Sequence, residues 1–447
     1  MNVLKKILAQ YERVFVRIIQ IFLLIFVFAR WIKIAVNANF MDYNIYIQTA
    51  KLIRMGISPY EKEVYDLYMR LPPLQPPSMS LLFMLPSLWS ENVIVSYLYF
   101  TASIIAFLAL TIMILNYYGY RINDYIKPKW KNLPIWLVFM LISVSNPFLH
   151  TLFIGQSNCF AILFLFSALL FPKHDKYLNI FFLGMAAAVK YSIMTFLAPV
   201  LIFQKRLKMS ILGFIFFMVM VLSVGFWLNG PIPSFIDYIK LILYDIKHGA
   251  NSYENNAYEY ICLGFFKIPI MNTILKILVL ISYGWILYKK FINNKDKKSI
   301  FHLTAIECCL FASMTLCISY HRLHDGILFL PFLAIIVLDS FYRMSKKNIY
   351  SVLTTIVSFS FFMFWCIPYN VSKKIAEKIG ALYPSGADYL YYAKGDIKMF
   401  PLLPIILLMM ICFLFLLEKT QTSDDTTDCK QNILTNNKDL SENQECE

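Results

Sequence analysis

Apolar runs recur along the chain at close to the 20 residues a helix needs to cross about 30 Å of hydrocarbon, with short clusters of lysine and arginine between them. In lipid, every backbone N–H and C=O has to be satisfied within the protein, so a chain built of such runs folds as membrane-spanning helices. Composition agrees. Hydrophobic residues make up 59% and charged residues 15%, where a soluble domain carries roughly a quarter. The fold class is therefore an all-α polytopic membrane protein. The first run, Phe15–Val36, is too long and too weakly terminated for a cleaved signal peptide, and no small-x-small site follows it, so it is expected to stay as the first span.

The basic clusters set the topology, because Lys and Arg accumulate in cytoplasmic loops. They also account for the net charge of +14, which excludes nucleic acid as the partner that charge would otherwise suggest. Lys5, Lys6, Arg13 and Arg17 put the N-terminus inside and the loop Asn37–Ser90 outside. Val93–Tyr117 returns inward, Pro134–Phe153 goes out to Gly155-Gln156-Ser157-Asn158, and Cys159–Phe171 comes back. Lys173/Lys176 and Lys205-Arg206-Leu207-Lys208 both read as cytoplasmic with one apolar segment, 177–203, between them. Two short, tilted crossings turning near Lys190 satisfy both clusters, and broken helices are tolerated where they line a cavity. Ile211–Leu228 then goes out to a loop at 229–264, and later runs at 269–288, 301–318, 326–338, 349–366 and 401–417 bring the expectation to about twelve crossings with both termini inside. Residues 1–418 form one expected transmembrane domain, and the Thr/Asp/Asn/Gln-rich stretch 419–447 reads as a disordered cytoplasmic tail. No internal repeat is visible.

Loop 37–90 is too polar to span a bilayer yet studded with aromatic and apolar residues. Asp42–Met55 predicts a short helix with Tyr43, Ile47 and Ala50 on one side, which suits an interfacial position. Gly56 and Pro59 end it, and prolines 72, 73, 76 and 77 lead into a second short apolar piece near Pro86.

Under this topology the polar residues sort by side. Asp42, Gln156, Asn158, Lys190, the Asn251–Glu259 cluster and Ser319–Asp325 gather outside, while the inner face collects Lys/Arg clusters and a few acids. A working site therefore faces outward. Asp42 is the candidate base: a carboxylate beside the membrane can accept a proton from an attacking hydroxyl. It also reads as an N-cap or a solvated acid. Glu61, Glu63 and Asp66 read as solvated charges. A lysine at the centre of a span costs about 2.5–3.5 kcal/mol on insertion scales, so Lys190 reads as an anion-binding cation or as a snorkelling helix end. Gln156 and Asn158 suit hydrogen bonding to sugar hydroxyls, or are turn residues. His321, Arg322, His324 and Asp325 crowd an outer helix boundary; Arg and His there can hold a phosphate, and Asp325 can cap the next helix. Of the nine cysteines, Cys159, Cys308, Cys309, Cys317, Cys366 and Cys412 lie in apolar runs as small buried hydrophobes, and nothing requires a metal or other cofactor.

The motifs Asp42-x-x-x-Tyr46, Gly56-x-x-Pro59-Tyr60, Pro76-Pro77 and Leu85-Pro86, then Gly155-Gln156-x-Asn158, Gly184-x-Ala186-Ala187-Ala188-x-Lys190 and Ser319-Tyr320 through His324-Asp325 to Pro331 together resemble glycosyltransferase family 87. The resemblance implies a GT-C fold, with short and long transmembrane helices enclosing a cavity at the outer leaflet. It also implies a polyprenyl-phosphate sugar as donor, a glycolipid or glycan acceptor, and inversion with the first-loop aspartate, here Asp42, as base. Tyr46, Tyr60, Gln156, Asn158, Lys190, His321, Arg322, His324 and Asp325 become substrate contacts by the same match. Two departures stand out: Leu74-Gln75-Pro76-Pro77 replaces a Tyr-Pro-Pro pattern, and the last motif carries an extra His-Arg pair.

The expected function is transfer of a hexose such as mannose at the outer face of the cytoplasmic membrane. A lipid-linked polymerase or ligase of the O-antigen type would need a large outer loop rich in Arg and His, and the late loop Pro368–Lys398 has neither. A lipid or polysaccharide flippase predicts charges along the membrane midplane and an internal repeat.

Overall fold

An apolar surrounding leaves the backbone only its own partners, and helices supply them. The computed structural model describes residues 2–69, 71–89, 93–121, 125–170, 176–190, 207–249, 323–328 and 330–344, with single positions at 274, 277, 281, 284, 285, 288, 308, 352, 353, 356, 357 and 360, and among these no strand occurs. In chain order the helices are α1 (Asn2–Asn37), α2 (Met41–Arg54), α3 (Lys62–Tyr68), α4 (Pro77–Phe83), α5 (Val93–Tyr117), α6 (Leu133–Ser143), α7 (Asn146–Ile154), α8 (Asn158–Leu170), α9 (Lys176–Val189), α10 (Leu207–Ser223), α11 (Pro231–Gly249) and α12 (Leu330–Met344). Short 3-10 turns lie at Pro86–Trp89, Trp130–Asn132, Val224–Trp227 and Leu323–Leu328.

Among the described residues, three stretches are long and apolar enough to cross a membrane: Gln10–Asn37, Val93–Tyr117 and Leu207–Trp227. Their exposed side chains include Phe22, Ile25, Ile105, Phe214 and Val219, which lipid rather than water can cover at no cost. The expected run Pro134–Phe153 is interrupted: α6 and α7 meet at a bend of 41° and would count as a fourth span if taken together. The cause is local. Pro147 sits in the first turn of α7, where it has no N–H to give and disfavours helix in the residues before it, and Ser145 is extended with ψ 143°. The helix before Lys190 ends at Val189, while the chain just after Lys190, which the expected turn needs, the crossings expected at 269–288, 301–318, 349–366 and 401–417, and the tail from residue 419 lie outside the described residues, single positions apart.

The ends of the helices sort into two levels. At one, the Phe15 ring meets Trp130 with centroids 5.4 Å apart, and Trp130 N–H donates to Glu12 Oε1 at 3.0 Å. Lys127, Lys129 and Lys131, all exposed, lie next to Trp130 in the chain. At the other level, the N–H groups of Asn39 and Phe40 both donate to Phe153 O at 3.2 Å, and Ser78 Oγ donates to Ala188 O at 2.8 Å. The ends of α1, α7 and α9 therefore meet there, away from the lysines. Between the two levels, Trp31 Nε1–H donates to Ser143 O at 2.9 Å in the buried core.

One expectation about the loops is extended and one is corrected. α2 leaves a stripe through Met41, Asn44, Gln48 and Lys51 partly or fully exposed and buries a wider arc than expected. Tyr43, Ile47 and Ala50 are buried as expected, but so are Asp42, Ile45, Tyr46, Thr49, Leu52 and Ile53, because α4, α7 and the turns at 86–89 and 224–227 pack around it. The stretch expected as a loop at 229–264 begins with a helix, α11. Its Tyr238 and Leu241, three apart, pack on Tyr60 and Tyr65, and the Tyr238 hydroxyl donates to Leu74 O at 3.3 Å. Its apolar residues follow helical spacing, and Tyr238 and Leu241 cover the loop that carries Tyr60 and Leu74.

Helices α9 and α10 approach through two glycines. A Cβ on Gly213 would lie 2.9 Å from Leu183 Cβ, and one on Gly184 would lie 2.2 Å from Phe216 Cδ1 and 3.1 Å from Gly213 O. In lipid there is no hydrophobic drive between helices, so close van der Waals fit supplies the association and small residues permit it. Gly213→Ala is expected to destabilise the detergent-solubilised protein by roughly 1–3 kcal/mol, read as a lower unfolding midpoint. Gly284→Ala, where nothing lies within 4 Å of the new methyl, should leave the midpoint unchanged or raise it.

Candidate active site

The site starts from a helix end. α7 closes with Gly155 in the left-handed region at φ 74°, and Gln156 N–H reaches back to Thr151 O at 2.9 Å. This closure satisfies carbonyls that the last helical turn leaves without partners. Phe153 O, in that same turn, accepts the Asn39 and Phe40 N–H groups at 3.2 Å. The capping of α7 thus holds the strand of chain that enters α2. Only glycine fits at 155, since a Cβ there would stand 2.7 Å from Tyr43 Cβ.

Phe40 is the one non-glycine residue with positive φ among those described (φ 48°, ψ 32°). A residue with a Cβ is strained there by about 1–2 kcal/mol. Its ring is held edge-on to Tyr97 (5.9 Å), Tyr43 (6.2 Å) and Phe100 (6.3 Å), so the packing imposes the conformation. The chain thereby turns from α1 into α2 within three residues. Asn39 Oδ1 accepts Met41 N–H at 3.1 Å, and the cap position is Phe40, so Asp42 falls in the first turn of α2 and does not cap it. Asp42 is 7% exposed, so the solvated-acid reading fails as well.

Asp42 is met by Gln156, whose Nε2 donates to Asp42 Oδ2, while Gln156 Oε1 accepts the Tyr46 hydroxyl at 3.0 Å. Two residues further on, Asn158 opens α8, and its Oδ1 accepts Lys190 Nζ at 2.8 Å. Asn158 is 1% exposed. Lys190 follows the last residue of α9, its N–H donating to Ala186 O at 2.9 Å, and Ser78 of α4 binds the neighbouring Ala188 carbonyl. One four-residue turn, 155–158, therefore reaches a buried carboxylate with one side chain and a cation with another. The 3-10 turn Leu323–Leu328, which carries His324 and Asp325, packs against α7 and α8 on either side of it. His321 and Arg322 lie outside the described residues, as do the side chains of His324 and Asp325.

An aromatic shell closes the buried side of Asp42. Tyr43 lies 4.9 Å from Tyr99, Tyr46 lies 5.2 Å from Phe83, and Tyr99 continues to Phe160 at 5.6 Å. Tyr60 is not part of this shell. It is buried in a separate cluster with Tyr65 and Tyr238, edge-on to the latter at 5.5 Å. Burial pushes the phenols of Tyr43 and Tyr60 up, Ser96 opposing this at Tyr43, so both stay protonated near neutrality and neither competes as a base. Asp66 pairs with Lys62 on the exposed face of α3. No three His, Cys, Asp or Glu side chains among the described residues lie together as metal ligands would.

Sequence reasoning singled out Asp42, Gln156, Asn158 and Lys190, and these come together. It missed Asn39, Phe40 and Ser78, which hold them. The Asn39 turn had a local signal, an Asn two residues before the helix whose side chain can bond the backbone two residues on; the other two act through contacts distant in sequence.

Compared with known proteins, residues 74–318, more than half of the chain, match the sequence model of glycosyltransferase family 87. Gln156, Asn158 and Lys190 fall inside the matched stretch, and Asp42, Tyr46 and Tyr60 precede it. No curated protein and no solved structure matches.

Proposed function

The chain belongs to glycosyltransferase family 87, and from that membership we propose that it transfers a hexose such as mannose from a polyprenyl-phosphate donor to a glycolipid or glycan acceptor. We place the reaction at the outer face of the cytoplasmic membrane, with inversion at the anomeric carbon. Asp42 takes the proton of the acceptor hydroxyl. The hydroxyl oxygen bonds to the anomeric carbon as the bond from that carbon to the phosphate oxygen breaks, and the electron pair leaves with the lipid phosphate. Lys190, beside the N-terminal end of α8 and its positive dipole end, meets the negative charge that develops there. Asn158 keeps the ammonium in place. His321, Arg322 and His324 add phosphate or sugar contacts and Asp325 a polar contact, whereas Tyr60, enclosed with Tyr65 and Tyr238, contacts no substrate.

The observation that carries this reading is the turn 155–158, which joins a buried acid and a cation at the end of the molecule away from the Lys127–Lys131 cluster. By the distribution of basic clusters, that end is the outer one.

The test is sugar transfer by the purified, reconstituted protein. Radiolabelled polyprenyl-phosphate hexoses and nucleotide hexoses are offered in parallel, with liposomes of host lipid extract supplying acceptors. Transfer from the lipid donor alone is expected, with Lys190→Met weakening it at least tenfold. Transfer from a nucleotide sugar would overturn the donor assignment. Passage of the donor lipid across the bilayer with no sugar moved would replace the enzyme by a flippase.

A further inference from the structure

We propose that Gln156 is a positioning residue for Asp42, oriented in turn by Tyr46, and not a ligand of the sugar; this rests on Asp42 being the base. An ionised carboxylate only accepts hydrogen bonds, so the end of the Gln156 side chain that faces Asp42 Oδ2 has to be the amide nitrogen. The opposite end then presents its carbonyl oxygen, which accepts the Tyr46 hydroxyl at 3.0 Å. Asp42 and Tyr46 are four residues apart on α2, so one helix face grips both ends of one amide. Neither anchor is loose. Tyr46 is 2% exposed with its ring against Phe83, and the Gln156 backbone is tied to Thr151.

The chain of donors runs one way, from the Tyr46 hydroxyl to the Gln156 carbonyl and from the Gln156 amide to the Asp42 carboxylate. Its last bond is made to the charged form of Asp42 and favours it, opposing the burial that favours the neutral acid. Gln156 therefore keeps a shielded carboxylate ready to accept a proton and aims its oxygens. Tyr46 keeps the amide from turning over, which would set its carbonyl oxygen against the carboxylate.

The test follows Asp42 directly. In reconstituted protein, the infrared carboxyl band absent from Asp42→Asn identifies this group, and its titration midpoint needs no substrate. The midpoint is expected to rise by about one pH unit in Gln156→Leu, which removes the donor, and to rise by less in Tyr46→Phe, which keeps the ring. In the transfer assay, the acid limb of the kcat profile moves up by the same interval, and kcat falls about tenfold or more while the KM for donor stays within twofold. An unmoved midpoint in Tyr46→Phe and Gln156→Leu overturns the proposal, as does a rise in KM with kcat and the profile unchanged, which marks a sugar ligand. If only Tyr46→Phe folds, its midpoint decides alone. Undiminished transfer by Asp42→Asn removes the base reading. Loss of transfer in Asp42→Asn beside a wild-type profile in Gln156→Leu removes only the positioning role.

Discussion

Asp42→Asn is expected to reduce sugar transfer by about 10²–10⁴-fold, the usual contribution of a general base, while leaving the folded protein as stable as before or slightly more so. The two halves have one cause. Asp42 is buried at 7% exposure, where a charge is costly to keep out of water. Asparagine has the same shape, turns its carbonyl oxygen to the Gln156 amide, and carries no charge to desolvate. The base is lost and the hydrogen bond is kept. A purely structural acid would behave the other way, with stability falling and turnover in the surviving protein preserved. The unfolding midpoint in detergent, measured on the same samples as initial transfer rates, separates the two. A loss of stability of more than about 1 kcal/mol with transfer intact would end the case for Asp42 as base.

The second large effect is expected at a residue with no side chain. Gly155→Ala should lower transfer by about 10²-fold, because misplacing a reacting group by about 1 Å has that consequence. Two terms act at 155. The left-handed backbone at φ 74° is unfavourable by about 1–2 kcal/mol for any residue with a Cβ. The new methyl also stands 2.7 Å from Tyr43 Cβ and 3.3 Å from Tyr43 N, atoms of the α2 backbone region that cannot swing aside as a side-chain tip would. Relief requires α2 to move off α7, which carries Asp42 away from Gln156. Gly56→Ala separates the terms. Gly56 has φ 73°, closes α2 through its N–H to Ile53 O at 3.0 Å, and would bring its Cβ no nearer than 3.6 Å to Trp227 O. It should show the stability loss with turnover near wild type. Equal loss of transfer in both variants would show that strain alone matters and that the contact with Tyr43 does not set the site.

Much of the fold was legible in advance. Val93–Tyr117 is the helix expected, and α2 spans nearly the residues read from its periodicity and from its stop at Gly56. Membership of the family was legible as well, from motifs spread along the chain. What escaped had two kinds of cause. The break before Pro147 carried a local signal that the length of the apolar run obscured. α11 carried helical spacing, but its stretch was read as the connecting loop between two apolar runs. The width of the buried arc of α2 had no local sign, since periodicity records which residues seek cover and not how many neighbours provide it.

The site divides along the same line. Residue type and side of the membrane were enough to select Asp42, Gln156, Asn158 and Lys190 as chemically capable groups. Their division of labour was not, because Tyr46 and Gln156 are 110 residues apart and Lys190 and Asn158 are 32 apart. A hydrogen bond between such residues leaves no pattern in the chain around either one. Apolar length and charge placement, being local and additive, let the sequence alone determine a helical membrane protein whose polar residues gather in a few connecting stretches. Which side chain faces which is a matter of distances and directional bonds. Only the tertiary structure, by capping α7 with the entry to α2, decided that the carboxylate and the cation share one turn.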